Sequence, residues 1–250
     1  MSLVLFFDHS IGNRLFMKLI DDEFTKLSQC VTTSTNFLKN PWLLEMSEKK
    51  EIPIVIIEET KGIDSFEKAN QALLASWRYK LDDGLLNHFN YNVYNLHYSL
   101  LPKFPGSYPV NQALLSGEVE SGFTIHKATS QLDNGPILLQ KSLHINTWEN
   151  TEDILKRLDD LVLDNYNLII QSIQKGLQEN SGITFNSHSL VTKRDINDRR
   201  LIDITSPMTA LEFLNNVRAM TVPEIDVYPS FIDPVSGNEI EIQLKMNRRK

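Results

Sequence analysis

Three polar side chains of the segment 95–136 could together transfer an acyl group to an amine. Asn95 and His97 lie two residues apart, so their side chains point to the same side of an extended segment. Asp133 follows within Leu-Asp-Asn-Gly-Pro, a turn signal between two runs typical of strands. A histidine can exchange a proton near neutral pH, an asparagine amide can donate to an oxyanion, and a carboxylate can orient the histidine. These residue types are also common in purely structural roles, so both interpretations stay open at this point.

The elements that must position these residues alternate between strands and helices. Apolar runs at 3–7, 52–57 and 72–77 predict buried strands, and the run at 93–97 predicts the strand that carries Asn95 and His97. This alternation indicates an α/β fold with an open, mostly parallel, Rossmann-like sheet flanked by helices. Sites in such sheets lie at the carboxyl ends of the strands, so residues 76–79 and His97 should share one cleft.

The same patterns predict the remaining elements. We expect further strands at 30–33, 122–128, 228–232 and 239–244, the last two forming a hairpin, and helices at 13–20, 41–50, 64–70, 81–89, 108–117, 150–176 and 209–220.

Composition and charge narrow the class of protein. The chain has 250 residues, of which 41% are hydrophobic and 23% charged, as expected of a globular protein. A single cysteine, Cys30, excludes an internal disulfide and fits a reducing cytoplasm, and no apolar run is long enough to span a membrane. The first ten residues lack the features of a signal peptide, so cytoplasmic localisation is expected. The net charge of −7 argues against nucleic acid as the main partner.

The motif Asn-x-His-x-Ser-Leu-Leu-Pro from Asn95, together with His126 and Leu-Asp-x-Gly-Pro-Ile around Asp133, resembles the folate-dependent formyltransferases. The resemblance covers about residues 71–145. That family includes glycinamide ribonucleotide, methionyl-tRNA and sugar N-formyltransferases. The resemblance implies that Asn95, His97 and Asp133 are catalytic and that N10-formyltetrahydrofolate is the co-substrate. A metal site on His97, His126 and Asp133 matches no common zinc spacing, so no metal is expected.

The resemblance also implies a set of residues around the folate. The segment after the strand at 72–77 forms part of the pterin pocket in that family, largely through backbone groups. Core packing is the alternative role for the aromatic residues of this segment. The residues that we expect to bind the co-substrate are Ser76, Trp77, Tyr79, Leu81, Leu132 and Gly135.

Three candidate residues for binding the molecule that receives the formyl group lie within or directly after predicted strands. His9 lies in a strand–turn–helix segment whose backbone N–H groups could hold an anion, although an ordinary turn fits equally and the glycine-rich loop of the purine enzymes is missing. Arg78 could meet the folate tail or a substrate phosphate, or remain a solvated surface residue. His126 matches a histidine of the purine and sugar branches, and a hydrogen-bonded strand histidine is its alternative.

Two further candidates lie near the end of the chain. Arg218 belongs to a segment that resembles the family's Arg-Ala-x-x-x-Pro, and we expect it to bind a pyrophosphate, whereas a salt bridge at a helix end is the alternative. Tyr228 could stack on a base or pack within the hairpin.

The charge and length of the stretch from 191 to 250 distinguish between the branches of this formyltransferase family. From 191 to 250 there are nine Lys and Arg against nine Asp and Glu, whereas a module that binds tRNA should be basic. This stretch is also shorter than the barrel appended in methionyl-tRNA formyltransferases. We therefore expect a catalytic domain at 1–185 and a small α+β appendage with a β-hairpin at 186–250, for substrate binding or dimerisation.

The expected function is transfer of a formyl group to a nucleotide-linked amino sugar, with dTDP-4-amino-4,6-dideoxyglucose as first candidate, for O-antigen or related surface glycans. A homodimer is expected, with no nucleic acid or membrane as partner. The alternatives are a methionyl-tRNA formyltransferase-like enzyme, which would need a basic face, and a non-catalytic folate- or nucleotide-sensing protein, which is expected to have lost part of the catalytic trio.

Overall fold

The computed structural model describes residues 1–58, 69–79, 81–176, 191–222 and 227–244. Its strands are β1 (Ser2–Phe7), β2 (Lys26–Thr33), β3 (Ile54–Ile57), β4 (Gln71–Ala75), β5 (Val93–His97), β6 (Glu120–Lys127), β7 (Ile137–His144), β8 (Ser230–Ile232) and β9 (Glu239–Glu241). Its helices are α1 (His9–Leu19), α2 (Ser34–Lys39), α3 (Trp42–Lys49), α4 (Asp83–His88), α5 (Pro109–Leu115), α6 (Thr151–Asp164), α7 (Tyr166–Lys175), α8 (Lys193–Asp198) and α9 (Ala210–Met220).

Seven strands form one sheet in the order β3-β2-β1-β4-β5-β6-β7, and β8 and β9 form a separate antiparallel hairpin. The neighbours from β3 to β5 are parallel, and β6 runs antiparallel to β5. The carboxyl ends of β1, β4 and β5 therefore meet at one edge of the sheet. The predicted α/β fold, with its mostly parallel sheet and hairpin, is confirmed.

Local sequence explains where the helices begin. Asp82 caps α4 by accepting a hydrogen bond from Leu85 N, and Thr33 caps α2 in the same way from Asn36 N. Thr209 and Glu212 form a reciprocal capping box at the start of α9. None of the helices in the described part of the chain is long and apolar enough to cross a membrane.

Several predicted boundaries were wrong. Strand β2 begins at Lys26 instead of residue 30, and β4 ends at Ala75, so Ser76 and Trp77 follow the strand. The helix expected at 150–176 is divided at Asn165 into α6 and α7. Residues 64–68 of another expected helix lie outside the described residues.

The chain divides into two compact units that interleave along the sequence. The first unit consists of Met1–His97, Thr124–Gln140 and Val162–Asn186, and the second of Tyr98–Phe123, Lys141–Leu161 and Ser187–Lys250. The domains expected at 1–185 and 186–250 stay a prediction.

Each unit has its own apolar core. In the first unit, side chains of β1, β2, β4, α4 and β5 pack together, among them Val4, Phe6, Val31, Leu74, Leu86 and Phe89. In the second unit the core includes Val110, Leu114, Ile154, Leu158 and Met220. Burying one such side chain stabilises the fold by about 1.5–3 kcal/mol, which makes these clusters the scaffold on which the polar strand ends are fixed.

Candidate active site

Strand β5 presents Asn95 and His97 at the edge where the parallel strands end. In the antiparallel pairing with β6, Asn95 lies opposite His126 and His97 lies opposite Thr124. Side chains that are directly opposite on neighbouring strands lie on the same face of the sheet. The register of this pair therefore brings one amide and two imidazoles to one place.

The loop between β6 and β7 returns Asp133 to these side chains. Its Oδ2 lies 3.5 Å from His97 Nδ1, and its Oδ1 lies 3.4 Å from His126 Nε2. Asn95 Nδ2 donates to Asp133 Oδ1 at 3.3 Å. The structure thus brings Asp133 to Asn95 and His97, the other two predicted catalytic residues, and it adds His126 to them.

His126 holds Asn95 by a short hydrogen bond. Asn95 Nδ2 lies 3.0 Å from His126 Nε2, and His126 Nδ1 lies 3.1 Å from the backbone oxygen of Lys127. A backbone carbonyl only accepts, so Nδ1 donates to it, and in the tautomer whose hydrogen is on Nδ1 the Nε2 atom accepts from the amide. The Asn95 amide therefore donates to both His126 and Asp133. A direct contact of His126 with substrate, as expected from the sequence, stays a prediction.

Three of the four side chains are largely removed from water, and Asn95 is half-buried. His126 is 2% exposed, Asp133 6% and His97 7%. Hydrogen bonds among buried polar groups are electrostatically stronger than the same bonds in water, and an unpaired member would be costly. The cluster is therefore a rigid, pre-arranged set of one carboxylate, one amide and two imidazoles, which suits it to hold and move a proton.

Backbone conformation and a close backbone contact constrain the loop that carries Asp133. Asp133 has φ of +50°, a left-handed conformation that Asp and Asn adopt more readily than most residues. A Cβ atom on Gly135 would lie 1.7 Å from the backbone oxygen of Lys127, so no other residue fits there. This close approach holds the loop against the end of β6 and keeps the carboxylate at the imidazoles.

A cleft of about 70 Å³ adjoins the cluster. Of the residues expected to bind the co-substrate, the cleft is lined by Trp77, Tyr79, Leu81 and Leu132, and Asn95, His126 and Asp133 form its polar end. Ser76 and Gly135 do not line it, and their contact with the co-substrate stays a prediction.

Trp77 is held in place among aromatic side chains. Its ring packs edge-on against Phe6 and Tyr79 at centroid distances of 5.4 and 5.5 Å. Its Nε1 atom is buried and has no hydrogen-bond partner within the described residues. Packing rather than a hydrogen bond therefore sets the position of this ring beside the cleft.

His9 and Arg78 lie close together at the carboxyl ends of β1 and β4. Arg78 Nη2 is 3.4 Å from His9 Nε2, and the Arg78 guanidinium pairs with the buried carboxylate of Asp8. Partial burial lowers the pKa of His9, an effect that Asp8 opposes and Arg78 reinforces. The two residues thus form a polar cluster whose acceptor-binding role stays a prediction.

Arg218 and Tyr228 belong to the second unit. Arg218 in α9 is 4% exposed, its Nη1 donates to the backbone oxygen of Asn146 at 3.3 Å, and its Nε has no partner within the described residues. Burial lowers the pKa of Arg218, and Glu149 opposes this effect. Tyr228 is half-buried, with its backbone oxygen accepting from Arg200. Binding of a nucleotide by these two residues stays a prediction.

No group of three or more His, Cys, Asp or Glu side chains in the described ranges is arranged to hold a metal ion.

Comparisons with known proteins agree on one family. Residues 39–171, more than half of the chain, match the family model described as "Formyl transferase". The methionyl-tRNA formyltransferase of Thermotoga maritima is 28% identical over 179 residues, which cover 70% of this chain and 56% of that protein. The chain thus spans about half the length of such relatives.

Two solved structures are similar over nearly the whole chain. A 4-N formyltransferase from Francisella tularensis has a TM-score of 0.82 at 20% identity and covers 99% of this chain and 98% of its own. An N-formyltransferase from Helicobacter canadensis, in complex with folinic acid and dTDP-3-aminofucose, has a TM-score of 0.65 at 20% identity. The match covers 90% of this chain and 81% of the Helicobacter protein. At these identities the likeness shows a shared fold.

Proposed function

Since this chain belongs to the formyl transferase family, we propose that it transfers a formyl group from N10-formyltetrahydrofolate to the amino group of a nucleotide-linked amino sugar. The observation that carries this proposal is the buried cluster of Asn95, His97, His126 and Asp133 beside a cleft with an aromatic wall. We propose dTDP-4-amino-4,6-dideoxyglucose as the first acceptor to test, with O-antigen or a related surface glycan as the destination of the product.

The cluster supplies the groups that formyl transfer requires. The nitrogen of the neutral sugar amine forms a bond to the formyl carbon, the bond from that carbon to N10 breaks, and one proton passes from the amine to N10. His97 and Asp133, whose facing atoms are 3.5 Å apart, hold and move that proton in our proposal. Asn95 stabilises the negative charge that develops on the formyl oxygen, an effect of about 3–4 kcal/mol for a well-placed donor.

The hydrogen bonds of Asn95 set a condition on this mechanism. Its amide donates to His126 Nε2 and to Asp133 Oδ1 in the structure. Stabilising an oxyanion therefore requires the formyl oxygen to share or replace one of these two acceptors, while the other continues to hold the amide in place. The bond to His126 is the shorter of the two, at 3.0 Å against 3.3 Å, so we assign it the holding role.

The cleft suits the planar ring of the folate. Trp77, Tyr79 and Leu132 line it, and aromatic and apolar side chains of this kind pack against planar ligands. These residues would orient the donor with its formyl group toward the polar end of the cleft.

An amino sugar is favoured over tRNA by the solved structures and by charge. The two N-formyltransferases of known structure, one of them in complex with dTDP-3-aminofucose, match this chain over 90–99% of its length. This chain, in contrast, matches only about half the length of the Thermotoga relative. The stretch from 191 to 250 is electrically balanced, and binding to tRNA favours a basic surface. Because the Thermotoga maritima methionyl-tRNA formyltransferase is 28% identical over 70% of this chain, charged initiator tRNA is the second acceptor to test.

We further propose a homodimer formed through the β8–β9 hairpin. This short hairpin exposes Ile232, Val235 and Ile240, and exposed apolar side chains on one small element are typical of contact surfaces. Light scattering should give twice the monomer mass, and the double substitution Ile232→Lys with Ile240→Lys should give the monomer.

The decisive experiment is a formyl-transfer assay with mass-spectrometric detection. N10-formyltetrahydrofolate is offered with dTDP-4-amino-4,6-dideoxyglucose, its 3-amino isomer, the UDP-linked equivalents and charged initiator tRNA in separate reactions. We expect a formylated sugar nucleotide, and a rate of its formation at least about a hundredfold lower with the Asp133→Asn variant. Formylation of the tRNA alone would replace the proposed acceptor, and no product with any acceptor would favour a non-catalytic binding protein.

A further inference from the structure

Asp8, the first residue after β1, is a buried carboxylate at the edge where the parallel strands end. Its side chain is 1% exposed. Oδ1 accepts hydrogen bonds from Thr33 Oγ1 at 3.2 Å and from the backbone N–H of His9 at 3.1 Å. Oδ2 pairs with Nε of Arg78. Every one of these contacts lies within the first unit.

The pairing fixes the guanidinium of Arg78. Burying a carboxylate is costly unless it is paired and hydrogen-bonded, so Asp8 strongly favours one orientation of the arginine. The bond uses Nε, and Nη2 lies 3.4 Å from His9 Nε2 at a position where the side chains of Arg78 and His9 are 36% and 66% exposed. The outer edge of the guanidinium therefore faces the surface in a fixed geometry, with His9 beside it.

Arg78 points away from the aromatic cleft. Trp77 and Tyr79 line that cleft, whereas the residue between them reaches Asp8. Strand β1 is separated from β5 by β4 alone, and neighbouring strands are about 4.8 Å apart, so Asp8 lies on the order of 10 Å from the strand of Asn95. The Arg78 cluster is thus near the reacting groups but on a different side of segment 76–79 from the expected folate site.

We propose that Asp8 is a positioning residue that holds Arg78 to bind the diphosphate of the acceptor, with His9 as a neighbouring hydrogen-bond donor. A guanidinium held through one edge matches the geometry of phosphate oxygens along the other. The start of α1 at His9 adds a favourable field for an anion. This inference rests on the proposed function, because it assigns the part of the sugar nucleotide that the site at β1 and β4 would hold.

The first test separates the two substrates kinetically. Arg78→Gln should raise the KM for the sugar nucleotide at least tenfold, or about 1.4 kcal/mol, and leave the KM for N10-formyltetrahydrofolate within about twofold. Arg78→Lys should recover little of the loss, because an ammonium lacks the planar fork. Arg194→Gln removes the same charge from a side chain that is 89% exposed and should leave both constants unchanged.

The second test asks whether Asp8 acts through Arg78. Asp8→Asn should raise the same KM, and adding it to Arg78→Gln should cause no further rise, since the two residues form one unit. If Asp8→Asn does not fold, Asp8→Glu replaces it, because this variant keeps the charge and displaces it by one methylene. Additive effects of the two changes would overturn the positioning role.

The same kinetic experiment shows whether Arg78 binds the diphosphate or the folate carboxylates. It also separates a failure of this inference from a failure of the proposed function. An increase confined to the KM for the folate would mean that Arg78 binds the folate carboxylates and would overturn the inference. A wild-type protein that formylates a sugar nucleotide while Arg78→Gln leaves its KM unchanged would overturn the inference and leave the proposed function standing. A wild-type protein that formylates no sugar nucleotide would refute the proposed function, and the inference with it.

Discussion

Replacing Asp133 by asparagine tests the active-site assignment with little disturbance of the fold. The carboxylate is within 3.5 Å of both imidazoles and of the Asn95 amide, so the substitution changes three contacts at once. Asparagine has the same shape and tolerates the left-handed backbone at φ of +50°, whereas alanine would add backbone strain. The loss of activity can therefore be attributed to the charge.

The expected loss follows from the contacts. Asp133 orients His97, and in our proposal the pair moves the proton, a contribution that is typically about 10²–10⁴-fold in rate. The corresponding rise in the activation free energy is about 3–5 kcal/mol. Because the carboxylate of Asp133 contacts His97, His126 and Asn95, KM values should change much less than kcat.

The assay is kcat at saturating concentrations of both substrates, with thermal unfolding as the check on folding. Asp198→Asn makes the same chemical change at an exposed surface pair and serves as the control, with unchanged kcat. Adding His97→Gln to Asp133→Asn should cost far less than the product of the two single effects, because they act as one unit. A folded Asp133→Asn protein that keeps more than about a tenth of the wild-type kcat would refute the assignment.

Three further predictions concern stability and reactivity. Tyr166→Phe should lower the free energy of unfolding by about 1–2 kcal/mol at pH 7. Desolvation raises and the Tyr166 hydrogen bond lowers the pKa of Asp22, with a net decrease, so the difference between the proteins should shrink as the pH of the urea titrations falls below the ordinary carboxyl pKa of 3.8. Burial raises the pKa of the Cys30 thiol, so a thiol reagent should label it only as fast as the protein unfolds. Leu86→Ala, in the first core, should cost about 2–5 kcal/mol in the same titrations.

The sequence predicted what depends on local pattern. The apolar run of β5 placed Asn95 and His97 together, and the turn around Asp133 was recognisable from its residues. The residues expected to bind the co-substrate came from the resemblance, and four of the six line the cleft, among them Trp77 and Tyr79, while their contact with the co-substrate stays a prediction.

The sequence could not supply partners that are distant along the chain. His126 was expected at the substrate, whereas its hydrogen bond to Asn95 depends on the β5–β6 register, which a single strand pattern does not fix. The pairing of Asp8 with Arg78 joins residues seventy positions apart, and Asp8 was not among the expected site residues. Its signal was an acidic residue directly after a buried strand, a position where polar side chains commonly serve a site.

The β6–β7 loop performs two tasks with one short piece of chain. Residues 129–132 line the cleft, and the next residue is the carboxylate that touches both imidazoles. Gly135, pressed against the backbone of Lys127, leaves the loop almost no freedom to shift. Under the proposed function, an engineer who reshapes this loop to accept another one-carbon carrier will therefore alter turnover as well. Trp77 and Tyr79 line the same cleft without belonging to this loop, so selectivity for the carrier is more safely redesigned there.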